Sequence, residues 1–221
     1  MHQLGYGLIE TMRVRDARIP FLARHLARLE RSQHELGLPK SAQYLTALVT
    51  PFAATGDAVL RLEVRDGRAS VTVRATSPVE APAVITASEP HVPYRHKTTE
   101  RDCFVDAAAE AERAEADDAL LLTPAGFVAE GTVWSVFWWE GDTLCTPALD
   151  LSILPGIGRA RVLELVARVD EAHSPRQGLA GKSLFLTNAV RGVVPIRSLD
   201  GVPARPDPRT AGLVGRFWPV R

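Results

Sequence analysis

The chain has 221 residues, 46% of them hydrophobic and 24% charged, which is typical of a globular protein with a full core. Lysine and arginine number 26, as do aspartate and glutamate, so the net charge is zero and argues against a nucleic-acid or membrane partner. No stretch approaches the roughly 20 apolar residues that span a bilayer, and two distant cysteines, Cys103 and Cys145, argue against a disulfide framework and favour the cytoplasm.

The first half of the chain predicts a small group of strands and helices. The stretches "LIETMRV" and "RIPFL" are typical of two short strands joined at "RDAR". "FLARHLARLERSQHELGLP" has leucines at helical spacing and ends at Gly37, with Pro39 beyond, which predicts a helix and its stop. "SAQYLTALVTPFAA" predicts a second helix capped by Ser41. Asp66-Gly67 lies between two alternating segments and predicts a β-hairpin.

The second half predicts more strands, with helices inserted among them. The prolines of "TSPVEAPAV" indicate a connector, which divides the chain into domains 1–80 and 81–221. A strand near "AVITAS", a helix over "ERDCFVDAAAEAERAEA" and several strands up to "DTLCTP" follow. The chain then continues with a glycine-rich turn into a helix, two strands around a polar break, and a closing helix over "DPRTAGLVGRFW". Runs of strands with inserted helices predict an α+β or mixed fold.

Lys97 is a candidate for amine chemistry. The chain has only three lysines against a large excess of arginine, and Lys97 lies in "RHKTTER", between a histidine and two threonines. Lysine differs from arginine in that it can lose its proton and act as a nucleophile. The alternative is a solvated surface lysine, which is the usual state of this residue type.

The stretch "LPGIGR" at residues 154–159 is a candidate anion site because it opens a helix. Backbone N–H groups at the start of a helix bind phosphate well. The "TNAV" break at residues 187–190 could present a hydroxyl and backbone donors to the same anion. Taken alone, simple turns are the more common explanation of both stretches, and no GK[ST] follows that would indicate a Walker loop.

Two further charged residues have open interpretations. Glu130 lies in the apolar strand "VAEGTVW" and needs a partner there, so it is either a turn residue or the partner of a cationic ring nitrogen. Arg28 lies on the first predicted helix, where most arginines are solvated. The histidines show no metal-ligand spacing, so no metal site is predicted.

Seven motifs in order resemble the class IV (fold type IV) pyridoxal-phosphate enzymes, which include branched-chain aminotransferases, D-amino-acid transaminases and aminodeoxychorismate lyases. They are "ETMRV", "HLARLERS", "HKTTER", "AEGTVWSVF", "TPALD", "LPGIGR" and "TNAVRGVVPI", and they cover nearly the whole chain. "LIETMR", "HKTT.R" and "LPG..R" are most similar to the short form of aminodeoxychorismate lyase. The resemblance implies an α+β fold with a small N-terminal α+β lobe, a larger β-barrel-like C-terminal lobe with helices, and the cofactor between them.

The resemblance also implies the roles of individual residues toward pyridoxal 5'-phosphate. Lys97 would be the catalytic Schiff-base lysine, Glu130 would pair with the pyridinium nitrogen, and Arg28 would bind the phosphate. The remaining residues would complete the phosphate cup with backbone and side-chain donors: Ile157, Gly158, Asn188 and Ala189. The substrate would be a small amine that carries carboxylates, with Arg95 and Arg191 as candidates to bind them and Arg13 as a further one.

The reaction implied by the closest branch is the elimination of pyruvate from 4-amino-4-deoxychorismate, which gives 4-aminobenzoate for folate biosynthesis. Transaminases of the family often carry a tyrosine a few residues after the lysine, and none follows Lys97 closely. An aminotransferase acting on branched-chain or D-amino acids is the alternative, and a non-catalytic cofactor-binding protein is a third interpretation. The resemblance further implies a homodimer with a functional link to aminodeoxychorismate synthase.

Overall fold

The computed structural model describes residues 5–40, 42–77 and 80–219. Within these ranges the chain forms five α-helices and three β-sheets, which confirms the predicted α+β class. Ser41, the predicted helix cap, lies outside the described residues. No helix in these ranges is long and apolar enough to cross a membrane.

The chain divides into two compact units. The first comprises Met1–Pro78 and His96–Glu100, and the second comprises Val79–Arg95 and Arg101–Arg221. The chain therefore returns to the first unit for a short segment that includes Lys97. The division into domains 1–80 and 81–221 stays a prediction.

A three-stranded antiparallel sheet forms the centre of the first unit. Strand β1 (Leu8–Val14) pairs with β2 (Ala58–Arg65), and β2 pairs with β3 (Arg68–Ala75). Asp66 and Gly67 connect β2 to β3 with φ angles of 50° and 72°. Two successive positive φ angles are those of the two-residue turn that matches strand twist, so the predicted hairpin is confirmed.

Helices α1 (Leu22–Glu35) and α2 (Ala42–Val49) complete the first unit. Leu26 and Leu29 of α1 pack into the core formed with the sheet. The helix ends where predicted, because Gly37 takes a φ of 67° and its N–H donates to the His34 carbonyl at 3.2 Å. Glycine at this position satisfies the last helical carbonyls without steric cost.

Two predictions for the first unit are wrong. "RIPFL" is not a strand: the main chain makes only an isolated bridge between Arg15 and Arg18, and Phe21 takes a φ of 62° just before α1. Pro20 has no N–H to donate to a ladder, so this stretch cannot extend the sheet. The second helix is also shorter than predicted. Thr50–Thr55 is a 3-10 helix, because Pro51 cannot donate the next α-helical hydrogen bond.

The second unit contains two five-stranded sheets. The strands of one sheet are β7 (Ser135–Glu140), β8 (Thr143–Pro147), β9 (Val169–Ala172), β10 (Leu184–Asn188) and β11 (Gly192–Pro195). They lie in the order β11-β10-β7-β8-β9, with only β8 and β9 parallel. The strands are mostly buried, and their apolar side chains form much of the largest core cluster.

The other sheet of this unit mixes parallel and antiparallel pairs. Its strands are β4 (Ala83–Thr86), β5 (Asp118–Leu122), β6 (Val128–Gly131), β12 (Ser198–Leu199) and β13 (Val202–Pro203). They lie in the order β13-β12-β4-β5-β6, and β4 runs parallel to both of its neighbours. In the described residues neither five-stranded sheet closes on itself, so the β-rich lobe expected as barrel-like consists of two sheets.

Three helices cover these sheets. Helix α3 (Asp102–Arg113) contacts β5, α4 (Ile157–Leu165) contacts β10, and α5 (Pro208–Arg216) contacts β11. The side chain of Asp207 caps α5 by accepting the N–H of Arg209 at 2.8 Å.

Candidate active site

Lys97 belongs to a short segment that pairs with β1 in the first unit. Its carbonyl accepts the N–H of Ile9 at 2.8 Å. The N–H of Thr99 donates to the Gly7 carbonyl at 2.8 Å, and the Thr99 hydroxyl accepts the Gly7 N–H at 2.9 Å. These bonds fix the main chain on both sides of the lysine, whose side chain is half-buried.

A buried carboxylate on β1 binds two residues of α1 in the same unit. Glu10 is 1% exposed. Arg28 donates from Nε to Glu10 Oε1 at 2.8 Å and from Nη2 to Oε2 at 2.6 Å. His25 donates from Nδ1 to Oε2 at 2.6 Å. We call these three residues the Glu10 cluster.

The charges of the Glu10 cluster follow from its burial. Burial alone would raise the pKa of Glu10, but Arg28 and His25 outweigh it and lower the pKa from 4.5 to about 2. Burial lowers the pKa of His25 against the opposite effect of Glu10, and the charges of Arg28 and Lys97 lower it further. At neutral pH the cluster therefore holds an anionic Glu10, a cationic Arg28 and a neutral His25, whose Nε2 is buried without a partner in the described part of the chain.

Glu130 is held in the second unit by two donors on one oxygen. It lies on β6 and is 5% exposed. His91 donates from Nε2 to Glu130 Oε1 at 3.0 Å, and the Leu154 N–H donates to the same oxygen at 3.1 Å. Within the described residues Oε2 has no hydrogen-bond partner. The apolar strand therefore presents a fixed carboxylate with one oxygen available.

The start of α4 lies against the end of β10 in the same unit. A Cβ added to Gly158 would lie 2.8 Å from the Cα and carbonyl carbon of Asn188 and 2.9 Å from Thr187 Oγ1. The Thr187 hydroxyl is buried and has no hydrogen-bond partner within the described ranges. Gly156, the N-cap residue, provides no side-chain cap, and the first N–H groups of a helix have no intrahelical acceptor.

Asn188 organises the turn that follows β10. Its Oδ1 accepts the N–H of Val190 at 3.0 Å and that of Arg191 at 2.8 Å. Its Nδ2 donates to the Val133 carbonyl at 3.3 Å. Ala189, inside the turn, is buried. The predicted cup residues Ile157, Gly158, Asn188 and Ala189 therefore lie on two segments that Gly158 and Asn188 bring into direct contact.

The candidate substrate arginines lie in different surroundings. Arg95 donates to Ser152 Oγ from Nε at 3.3 Å and from Nη2 at 3.2 Å. Arg191 begins the return from the Asn188 turn into β11. Arg13 lies in the first unit, where Nη2 pairs with Asp57 at 2.7 Å. No described group of three or more His, Cys, Asp or Glu side chains is arranged to hold a metal ion.

A phosphate monoester fits the start of α4. The free N–H groups of a helix N-terminus attract an anion. The unpartnered Thr187 hydroxyl supplies a donor beside them, and the missing side chain at Gly158 permits the close approach of the two segments.

Comparison with known proteins decides the family. The sequence model of the family described as amino-transferase class IV matches residues 7–199. This chain belongs to the class IV aminotransferase family. The family predicted from the seven motifs is therefore confirmed.

Relatives within the class IV aminotransferase family differ in the activity that their names state. A probable branched-chain-amino-acid aminotransferase of Thermotoga maritima is 30% identical over 96% of this chain and 85% of its own length. An aminodeoxychorismate lyase of Bacillus subtilis is 31% identical over 38% of this chain and 31% of its own length. The crystal structure of a branched-chain aminotransferase of Thermoproteus uzoniensis has a TM-score of 0.89 and 24% identity, covering 96% of this chain and 84% of that chain. This likeness confirms the predicted fold.

Class IV aminotransferases use pyridoxal phosphate as their cofactor. One structural neighbour, a hypothetical aminotransferase of Mycobacterium tuberculosis, was solved with α-ketoglutarate and PMP bound; it has a TM-score of 0.86 and 22% identity, covering 96% of this chain and 88% of that chain. The helix terminus and Thr187 fit the phosphate of this cofactor. The first unit also contains a half-buried lysine, Lys97, and the second unit a buried carboxylate, Glu130.

Three polar residues of these sites were not predicted from the sequence: Glu10, His25 and His91. Leu8, Glu10 and Met12 are alternate residues of β1 and therefore share its core-facing side. This alternation is the sequence pattern from which a buried Glu10 could have been predicted. His25 and Arg28 are three residues apart on one face of α1, opposite Glu10. His91 lies 39 residues before Glu130, and no local pattern indicates their contact.

Proposed function

We propose that this protein is a pyridoxal-phosphate-dependent 4-amino-4-deoxychorismate lyase that releases pyruvate and forms 4-aminobenzoate. The observation that carries the proposal is the position of the tyrosines. All three, Tyr6, Tyr44 and Tyr94, precede Lys97, whereas transaminases that resemble this chain often have one shortly after the lysine. A lyase has less need of such a tyrosine, because aromatisation of the product drives the elimination.

The bond changes of this reaction balance without an oxidant or a reductant. The substrate carbon that bears the amino group loses a proton, the C–O bond to the enolpyruvyl group breaks, and the ring becomes aromatic. The departing group takes up a proton and leaves as pyruvate. When bound, pyridoxal phosphate supplies the electron sink for this carbon.

Lys97 is the proposed attachment point for the cofactor and the base that moves the proton. As a neutral amine it accepts the proton from the amino-bearing carbon, and as an ammonium it returns a proton to the leaving group. Its main chain is fixed on both sides by Gly7 and Ile9, which limits the positions of its side chain. Arginine cannot take this role because its guanidinium stays protonated.

Glu130 and the phosphate cup are the proposed positioning groups. Glu130 would pair with the pyridinium nitrogen, and none of the described residues donates to its oxygen Oε2. The N–H groups of Ile157 and Gly158 and the turn at Asn188 and Ala189 would hold the phosphate. Arg28, whose Nε and Nη2 donate to Glu10, is a further proposed phosphate ligand. Fixing the phosphate orients the rest of the cofactor.

Arg95 and Arg191 are the proposed partners of the substrate carboxylates. Arg95 already donates to the neutral hydroxyl of Ser152, so a carboxylate would replace a weaker acceptor. We also propose that the enzyme is a cytoplasmic homodimer whose substrate comes from aminodeoxychorismate synthase.

The test is direct. Purified protein, pyridoxal phosphate and 4-amino-4-deoxychorismate are incubated together, and 4-aminobenzoate is followed by its fluorescence with pyruvate measured in parallel. We expect equal amounts of the two products. Heated protein and protein without cofactor are the controls, and product at the control rate would overturn the proposal.

An aminotransferase acting on branched-chain or D-amino acids is the second candidate. It is favoured by the 30% identity to the Thermotoga maritima relative over nearly the whole chain. The same preparation is offered leucine or D-alanine with 2-oxoglutarate, and glutamate is measured. Glutamate formation without 4-aminobenzoate would favour this candidate over the lyase.

A further inference from the structure

We infer that His91 is a positioning residue that orients Glu130. The inference rests on the proposed role of Glu130 toward the cofactor ring. His91 and the Leu154 N–H both donate to Oε1, at 3.0 and 3.1 Å, and none of the described residues donates to Oε2. Two donors on one oxygen fix the rotation of the carboxylate and leave the other oxygen for a ring nitrogen.

The surroundings of His91 hold its imidazole in one place. The residue is 2% exposed, and its backbone N–H donates to the Leu122 carbonyl at 2.6 Å at the end of β5. The ring meets the Phe104 ring edge-on, with centroids 6.0 Å apart. A ring held by the main chain on one side and an aromatic residue on another has little freedom to turn away from Glu130.

The two donors on Glu130 are also tied to each other. The Tyr94 N–H donates to the Ser152 carbonyl at 2.7 Å, which joins the segment after His91 to the segment before Leu154. Arg95 adds two bonds to the Ser152 hydroxyl. A shift of either segment would therefore move both donors together, so the carboxylate receives them as one preformed set.

The physical effect of His91 on Glu130 is electrostatic. An imidazole N–H donates best to a carboxylate that carries its full negative charge. In a buried setting, loss of this donor leaves the carboxylate with one hydrogen bond instead of two and with more freedom to rotate. A carboxylate turned away from the ring nitrogen would no longer stabilise its positive charge, so the electron sink of a bound cofactor would weaken.

The experiment is a double-mutant cycle on the cofactor-loaded protein. His91→Leu removes the donor and fills the space, Glu130→Gln removes the charge, and the double variant combines them. His91→Gln is the matched rescue, because its amide nitrogen can reach the place of Nε2. The readouts are the visible absorption of bound pyridoxal phosphate, its dissociation constant, and the rate of 4-aminobenzoate release.

We expect His91→Leu to lower the rate about tenfold and to change the visible band in the same direction as Glu130→Gln. His91→Gln should recover most of both. In the Glu130→Gln background, His91→Leu should change the rate and the band by less than about twofold. If His91→Leu does not fold, His91→Asn, whose amide is too short to reach Glu130, takes its place in the cycle.

Two results would overturn the inference alone. One is a wild-type spectrum and cofactor affinity in the variant that lacks the donor, while Glu130→Gln changes them. The other is an equal fall in rate when His91→Leu is made in the wild type and in the Glu130→Gln variant, which would mean that His91 acts independently of Glu130. An unchanged spectrum in Glu130→Gln would instead overturn the proposed role of Glu130 and the inference with it. The absorption spectrum and the cofactor affinity do not depend on whether the enzyme is a lyase. A failure of the lyase assignment is therefore detected separately, by the 4-aminobenzoate assay.

Discussion

Gly158 at the start of α4 meets the main chain of Asn188 at the end of β10 so closely that a Cβ would lie 2.8 Å from the Asn188 Cα. Real Cβ atoms do not approach backbone atoms this closely, so the contact requires glycine. It brings the helix terminus beside the buried hydroxyl of Thr187 and thereby forms the candidate phosphate site.

Gly158→Ala should force these two segments apart. We expect lower thermal stability and an affinity for pyridoxal phosphate reduced by at least tenfold, because the donors no longer converge on one anion. The matched control is Gly215→Ala in α5, where a Cβ meets nothing within 4 Å. That variant should be unchanged or stabilised by about 0.4–1 kcal/mol. Wild-type affinity in Gly158→Ala would contradict the proposed cup.

Thr187→Val should change stability and affinity in opposite directions. The buried hydroxyl has no described protein partner, so its loss should leave the apoprotein as stable as before or stabilise it by about 1 kcal/mol. Cofactor affinity should fall about tenfold for the loss of one bond to a charged phosphate. Thermal melts without cofactor and a fluorescence titration with it measure the two quantities.

Thr146→Val is the control for that experiment. The Thr146 hydroxyl is fully buried and donates to the Val136 carbonyl at 3.0 Å. Its removal should cost about 1 kcal/mol of stability and leave the affinity for pyridoxal phosphate unchanged. Equal effects of the two variants on affinity would mean that Thr187 has no special role toward the phosphate.

Lys97→Ala should abolish both the visible absorption of the cofactor-loaded protein and the turnover, because no amine remains to form the bond or to move the proton. Lys97→Arg should fail in the same way although it keeps the positive charge. Lys40→Arg, on an exposed lysine, is the control and should behave as wild type. Borohydride reduction followed by peptide mass mapping should place the modification on Lys97 in the wild type; modification of another lysine would contradict the assignment.

Glu10→Gln should destabilise the protein in a pH-dependent way. The folded-state pKa of Glu10 is lowered from 4.5 to about 2, so the unfolded chain binds its proton at a higher pH than the folded chain does. The stabilisation is therefore complete above about pH 4.5 and is lost as the pH falls toward about 2. We expect the variant to be about 3 kcal/mol less stable at pH 7.

Urea unfolding across this pH range measures the free energy of unfolding of wild type and of Glu10→Gln. The difference between the two should shrink on acidification. Glu30→Gln, on a half-buried residue of α1, is the control for removing a carboxylate from the first unit. A difference that stays constant from pH 7 to pH 2.5 would contradict an ionised Glu10 in the buried cluster.

Local signals predicted much of the fold. The hairpin at Asp66-Gly67 and the helix stop at Gly37 were predicted because each depends on the backbone preferences of one or two residues. "RIPFL" was misassigned because its residue types suit a strand, whereas Pro20 and the left-handed Phe21 turn the chain into α1 instead. The strand preference of these residue types was outweighed there by the backbone conformation that begins α1.

The candidate site was predicted in part. Lys97, Glu130 and the turns at Gly158 and Asn188 came from short motifs, and their roles toward the cofactor stay predictions. The contacts of Glu10 with His25 and Arg28 span 15 and 18 residues, and that of His91 with Glu130 spans 39. Such pairs depend on how elements pack and on side-chain direction, which periodicity within one segment does not specify.

The return of residues 96–100 to the first unit determines which fragments of this protein retain a complete first unit. A fragment that ends at residue 78 would lack the segment whose Lys97 carbonyl and Thr99 N–H pair with Ile9 and Gly7. Those main-chain groups would then form a bare strand edge, which invites self-association. A grafted or circularly permuted first unit must therefore carry this pentapeptide, so Lys97 and the covering of the sheet edge are kept together.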